Sequence, residues 1–187
     1  MSQSFSAVSP QDSTFDSSEI KKSVDKIVGN CPFYLSTNQI SLRYRASKKG
    51  QDPIELLKDG VGSLYDRQTE RWLANESEFN LNNPLILGTY LETILKRVQE
   101  INPLPIGRFR IMRLSPKTCY SWHSDADPFR LHVPVVTNTS CFYLTEEGGM
   151  EQMLESGRLY KVNTAIHHTA LNCSNEDRVH LVFSCAI

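Results

Sequence analysis

From Gly107 onward the apolar residues of this chain stop recurring at helical spacing and begin to alternate with polar ones. Short alternating runs follow at close intervals: Arg108–Leu114, Cys119–His123, Arg130–Val136, Cys141–Thr145, Arg158–Val162 and Arg178–Ala186. Gly148-Gly149 and Gly157 punctuate them. A period of two puts successive side chains on opposite faces, so each run can bury one face and present the other. Helical patterns occupy the first half instead. Helices followed by many short strands predict a mainly β fold, with flanking helices packed against a jelly-roll or barrel core.

At 187 residues the chain fits one domain with a sizeable core. Residues 1–16 are polar and Ser-rich and predict a flexible tail, leaving 17–187 as the domain. A helix capped by Ser17 or Ser18 follows, with Ile20, Val24, Ile27 and Val28 on one face and Gly29-Asn30 as its stop. Ile40 to Arg45 alternates as a half-buried strand does, and Asp52-Pro53 opens a helical turn that Gly60 ends. Val61 to Leu81 reads as an ordered loop anchored by Trp72 and Phe79. Asn83-Pro84 opens the clearest helix, with Leu87, Leu91, Ile94, Leu95 and Val98 as its stripe and Asn102-Pro103 as its end.

A formal net charge of −1 gives no reason to expect a nucleic-acid or membrane partner. Arg108, Arg110, Arg113 and Lys117 crowd one segment, which reads as a solvated strand edge. The five cysteines, Cys31, Cys119, Cys141, Cys173 and Cys185, form no C-x-x-C pair. A zinc knuckle and a dithiol redox site are thereby excluded, and buried reduced thiols are expected. The N-terminal residues have neither the basic nor the apolar region of a signal peptide, and no apolar run approaches the roughly 18 residues of a membrane span. A cytoplasmic protein is expected.

Chemistry-bearing residues cluster in the β-rich half. His123 and Asp125, Arg130 and His132, and Arg178 and His180 are each separated by one residue, a spacing that on a strand turns both side chains to one face. His167-His168 lies between the second and third pairs. Two histidines and one carboxylate are the ligand set of a facial triad on Fe(II), which leaves positions for a chelating keto acid and dioxygen. A keto acid with a distal carboxylate needs a cation. Arg178, ten residues after His168, can supply a bidentate guanidinium. Taken singly, each feature has a plainer reading: a chance H-x-D, a satisfied core histidine at 132, and a surface pairing of Arg178 with Glu176 or Asp177.

Four segments, His123-Ser-Asp125, Arg130-Leu-His132-Val-Pro134, His168-Thr-Ala-Leu-Asn172 and Arg178-Val-His180, resemble the aspartyl/asparaginyl β-hydroxylase family of Fe(II)/2-oxoglutarate-dependent oxygenases. The likeness covers roughly residues 107–187. It is nearer to the short bacterial members, which include hydroxylases of free amino acids, than to the vertebrate membrane-anchored ones, which lack the carboxylate that Asp125 supplies. The resemblance implies a double-stranded β-helix (cupin-like jelly roll) core, with a helical, substrate-side segment at 17–106 and a metal-binding core at 107–187. It implies His123, Asp125 and His168 as iron ligands, and Arg178 as the partner of the distal carboxylate of 2-oxoglutarate. Arg130 and His132 would contact the other end of 2-oxoglutarate or the substrate.

The expected reaction is hydroxylation of an unactivated C–H of an amino acid, peptide or other small substrate, with succinate and CO2 as co-products. Substrate contacts are expected from Ile40–Gly62, Trp72 and the Pro128-Phe129 turn. The alternatives are a cupin-like metal enzyme of another reaction class that does not use 2-oxoglutarate, and a non-catalytic jelly-roll binding module whose histidines are structural or whose metal is a fixed zinc.

Overall fold

The computed structural model describes residues 6–186. No helix among them is long and apolar enough to cross a membrane. The chain opens with β1 (Val8–Thr14) and α1 (Ser17–Gly29). Asp16 caps α1 by accepting from the N–H groups of Ser18 and Glu19, so Ser17 and Ser18 lie inside the helix. Ile20, Val24 and Ile27 face inward. α2 (Tyr34–Thr37) ends on left-handed Asn38, and β2 (Gln39–Ser41) and β3 (Arg43–Tyr44) follow. The single strand expected at Ile40–Arg45 is thus split. β2 joins the large sheet and β3 pairs with β6 (Leu81–Asn82), which buries both faces of the segment.

α3 (Pro53–Leu56) starts where Asp52-Pro53 predicts, with the Asp52 side chain accepting from Ile54 N–H. β4 (Tyr65–Asp66) and β5 (Arg71–Trp72) form a small hairpin. Of the two expected loop anchors, Phe79 is fully buried and Trp72 is mostly exposed. Asn83-Pro84 starts only a 3-10 turn. Gly88 then adopts φ +69°, and α4 (Tyr90–Ile101) begins beyond it. That break leaves Leu87 exposed, while Leu91, Ile94, Leu95 and Val98 are buried as their spacing predicts.

The second half supplies β7 (Ile106–Leu114), β8 (Thr118–Cys119), β9 (Phe129–Val136), β10 (Cys141–Thr145), β11 (Met150–Glu151), β12 (Arg158–Asn163), β13 (His168–Asn172) and β14 (Arg178–Cys185). Five of the alternating runs hold a strand each, but in Cys119–His123 only Cys119 is on one, β8, and the rest is irregular up to the isolated bridge at His123; β11 and β13 are additional. A six-stranded sheet in the order β1-β12-β9-β14-β7-β2 and a four-stranded sheet in the order β11-β10-β13-β8 form the jelly roll. On the outer face of the larger sheet, Phe109, Ile111, Leu131, Val133, Leu181 and Phe183 pack with α1 and α4 into the main core. Phe109 and Phe183, opposite each other on β7 and β14, stack at 4.3 Å between centroids.

Val8–Thr14 corrects the expectation of a flexible tail, of which residues 1–5 lie outside the described part. β1 is an edge strand on β12, so most of its side chains face solvent and its composition is polar. Main-chain pairing holds it, assisted by the Glu151 carboxylate, which accepts from Ala7 N–H at 2.5 Å and Val8 N–H at 3.0 Å. Gly157 closes the β1–α1 corner at φ +84°: its carbonyl accepts from Phe15 N–H at 2.8 Å, and a Cβ there would lie 2.2 Å from Phe15 O. Gly157→Ala is therefore expected to destabilise the protein by more than about 1 kcal/mol through backbone strain plus the lost contact. Urea unfolding checks this; an unchanged midpoint would mean that the corner does not hold the sheet edge.

Candidate metal centre and its cavity

His123 and His168 are joined before their side chains meet. His123 N–H donates to His168 O at 3.0 Å and His168 N–H donates to His123 O at 2.8 Å, forming an isolated antiparallel bridge. Directly opposed residues point to one face, and the two rings lie 4.4 Å apart between centroids. Asp125 is not on a regular strand, so the i, i+2 argument does not place it. Its N–H donates to Thr164 O at 2.8 Å, which holds the loop against the end of β12. One potential ligand atom from each of His123, Asp125 and His168 lies within 4.8 Å of the others.

The donor set fits a divalent metal. The Nδ1 atoms of both histidines are occupied by main-chain carbonyls, His123 on Ser121 O at 2.7 Å and His168 on Ile166 O at 2.8 Å. That contact fixes the tautomer and leaves each Nε2 as a free lone pair. Both Nε2 atoms lie 4.0 Å from an Asp125 carboxylate oxygen. Asp125 Oδ2 is buried without a hydrogen bond among the described residues, although Arg130 Nη1 approaches to 2.8 Å, because that ion pair lacks hydrogen-bond geometry. Burial lowers the His168 pKa, favouring the neutral, ligating imidazole, and the Tyr143 ring stacks on it. His167 turns away, is exposed, and meets Glu146 at 3.1 Å.

A cavity of about 880 Å3 opens beside this cluster, and His123, Asp125, His168, Arg130, His132 and Arg178 all line it. Arg178 is buried, and its Nε has no partner among the described residues. Surface pairing does not explain it, because Asp177 turns instead to Arg113 at 3.3 Å. His132 and His180 meet through Nδ1 at 3.4 Å. Burial, reinforced by Arg178 and other nearby cations, pushes both imidazoles well below their ordinary pKa and keeps them neutral. Arg130 also reaches Asp127 at 3.5 Å.

Two arginines overturn the reading of a solvated edge. β7 lies between β14 and β2, so Arg108 and Arg110 are buried and line the cavity. Arg108 is matched by Glu76 at 2.6 Å; burial alone would raise the Glu76 pKa, but the facing guanidinium keeps it below the ordinary value. The alternation of Arg108 and Arg110 with core residues Phe109 and Ile111 was the sequence signal that could have found them. Of the expected substrate contacts, Gly62 and Trp72 line the cavity, whereas Ile40, Leu42 and Phe129 belong to the core. Cys31, Cys141 and Cys185 are buried, but Cys119 and Cys173 are exposed, contrary to expectation.

A family model described as aspartyl/asparaginyl beta-hydroxylase matches residues 73–186. No curated protein sequence matches the chain. Among solved structures, the chain is similar to a non-haem monooxygenase, ThoJ in its apo form, at 11% identity and a TM-score of 0.51, covering 96% of this chain and 74% of that one. It is also similar to an oxidoreductase of the 2OG-Fe(II) oxygenase family from Burkholderia pseudomallei at 16% identity, TM-score 0.46, covering 57% and 61%. A cupin domain from Bordetella pertussis Tohama I matches at 20% identity, TM-score 0.39, covering 47% and 88%.

The buried neutral histidines give stability a predictable pH dependence. His132 and His180 have folded pKa values below the unfolded value of about 6.5, so as pH falls the unfolded chain binds these protons first. Their contribution is intact above about pH 6.5 and is lost below it. In chelator, the urea midpoint should fall between about pH 7 and 5, and His180→Leu should flatten that fall. An acid limb identical in wild type and variant would contradict the assignment.

Proposed function

Because the chain belongs to the aspartyl/asparaginyl beta-hydroxylase family, we propose that it is an Fe(II)- and 2-oxoglutarate-dependent oxygenase that hydroxylates an unactivated C–H bond of a small molecule or peptide. One observation carries the reading: two free imidazole Nε2 atoms and a half-buried carboxylate share a cavity with a buried guanidinium that no carboxylate of the described residues neutralises. With iron bound, dioxygen would be the oxidant, taking two electrons from 2-oxoglutarate and two from the substrate C–H, so that substrate, O2 and 2-oxoglutarate become hydroxylated product, succinate and CO2.

His123, Asp125 and His168 would hold the iron, each already oriented by a main-chain contact. Arg178 would bind the distal carboxylate of 2-oxoglutarate, since a buried guanidinium stays charged and takes a carboxylate bidentately. His132, neutral and beside Arg178, would offer a hydrogen bond to the co-substrate or the substrate without adding charge. Arg130 would serve the same end while its Nη1 keeps Asp125 in place. The cavity walls would exclude bulk water and strengthen these interactions. A closed zinc site would need His132 as a fourth ligand, and His132 is not in the cluster. A metal enzyme that takes no keto acid leaves Arg178 without a partner.

The test is succinate formation from 2-oxoglutarate on exposing anaerobically reconstituted Fe(II) protein to air. Succinate should depend on iron and disappear in His123→Ala and His168→Ala, while His167→Ala still binds iron. Arg178→Ala should weaken 2-oxoglutarate binding by roughly ten- to a hundredfold, the loss expected for one charge-assisted pair. An iron-loaded wild type that fails to bind 2-oxoglutarate in calorimetry would sink the reading.

A further inference from the structure

Exposed large apolar side chains scattered over a surface are ordinary, but Trp72 combines exposure with a place in the cavity wall. It is 59% exposed and lines the cavity that holds His123, Asp125 and His168. The other exposed large apolar side chains of the described residues, Leu73 and Trp122 among them, do not line it. Trp72 faces Tyr65 across the β4–β5 hairpin, and the two rings meet edge-on with centroids 5.3 Å apart. Tyr65 lines the cavity as well, and so do Leu64, Arg67 and Ala74 of the same segment.

The hairpin is fixed at its base and at its tip. At the base, Leu64 and Ala74 pack with buried Phe79, Leu73 N–H donates to Leu64 O at 2.7 Å, and Arg108 donates to the carbonyls of Gly60 and Gly62. At the tip, the Asp66 carboxylate accepts from Gln68 N–H at 2.8 Å and from Thr69 Oγ1 at 2.7 Å, and Glu70 takes φ +52°, uncommon outside glycine. These contacts set the direction of Tyr65 and Trp72 and leave the indole largely uncovered. The polar groups near it are already used. Asp66 closes the turn, Asn75 caps the 3-10 turn at Glu76–Glu78, and Glu76 is held by Arg108. A hydroxyl-rich ligand would find few acceptors here, whereas a flat ring needs only the open aromatic surface.

The cavity, at about 880 Å3, lies near the top of the range of roughly 300–1,000 Å3 typical of ligand pockets. The hairpin supplies none of the residues assigned above to iron or 2-oxoglutarate, so it faces whatever else the cavity takes. We propose that the Tyr65–Trp72 pair is the specificity element of the site and stacks an aromatic ring of the primary substrate; this rests on the oxygenase reading above. The ring belongs either to a small molecule or to a side chain of a peptide.

The experiment uses full-length protein loaded with Zn(II) and 2-oxoglutarate, in which no turnover occurs. The chain has two tryptophans, so in Trp122→Phe the indole emission comes from Trp72 alone. The probes are N-phenethylacetamide, its cyclohexyl counterpart and methyl glucoside. N-phenethylacetamide should change Trp72 emission saturably and raise the melting temperature, binding about two- to tenfold more tightly than the cyclohexyl compound. The glucoside should do neither. Trp72→Leu should weaken N-phenethylacetamide roughly tenfold, erase the preference for the aromatic ring and leave 2-oxoglutarate affinity unchanged, while Trp72→Phe keeps the preference. Capped glycyl-phenylalanyl-glycine separates the sources: tighter binding than N-phenethylacetamide identifies a peptide, weaker binding a small molecule.

The proposal is overturned if the phenyl and cyclohexyl compounds bind alike, if the glucoside is the probe that responds, or if Trp72→Leu keeps the preference. It is also overturned if Trp72→Leu loses 2-oxoglutarate, since the indole would then hold the cavity wall rather than a ligand. If wild type fails to bind 2-oxoglutarate, the oxygenase reading fails separately. The phenyl–cyclohexyl comparison, run without 2-oxoglutarate, still decides the hairpin.

Discussion

The two-residue period of β7, β9 and β14 is the constraint on which the rest of the molecule depends. One set of positions along these strands, among them Phe109, Ile111, Leu131, Val133, Leu181 and Phe183, packs under α1 and α4. The alternate set, among them Arg108, Arg110, Arg130, His132, Arg178 and Val182, lines the cavity. Core and site are therefore two faces of the same three strands. A slip of one residue in any pairing would send arginines into the apolar core and phenylalanines into the cavity, so burial of the outer face fixes the register that aligns the inner one.

The opposing sheet contributes by a different device. His123 and His168 are held by a mutual main-chain bridge, and Asp125 by a main-chain bond to Thr164. None of the three contacts depends on side-chain packing. Backbone bonds between a strand end and a loop bring the candidate ligand atoms together, and a second backbone contact at the Nδ1 of each histidine sets the direction of its ring. The regularity of the jelly roll is thus spent at the point where ligands from distant segments must converge, as expected where a scaffold positions loop residues.

Much of this was legible in the sequence where a local pattern and the tertiary structure agree. The β-rich half, the apolar faces of α1 and α4, and the grouping of His123, Asp125, His168, Arg130, His132 and Arg178 in one cavity follow from spacing or from the family resemblance. What was not legible depends on partners remote in sequence. β1 is polar because it is an edge strand, and an edge strand looks like a tail until its pairing partner is known. The Leu87 position was lost because Gly88 breaks a pattern that periodicity alone continues. Arg108 and Arg110 looked solvated because charge is normally exposed, and only the central place of β7 in the sheet makes them interior.

That exception says where the fold gives up stability. Arg108 is an interior cation compensated by a carboxylate, and Arg43 is held through Nη1 by main-chain carbonyls while its Nε has no partner among the described residues; both tie β7 to the segments before it. Arg110 and Arg178 have no carboxylate against them among the described residues, and both line the cavity. Burial of an unneutralised guanidinium costs free energy, and Arg108 shows the alternative, in which a carboxylate offsets it. The stacked Phe109–Phe183 pair and the helices behind it provide the rigidity that keeps these strands in place despite the charge on their other face.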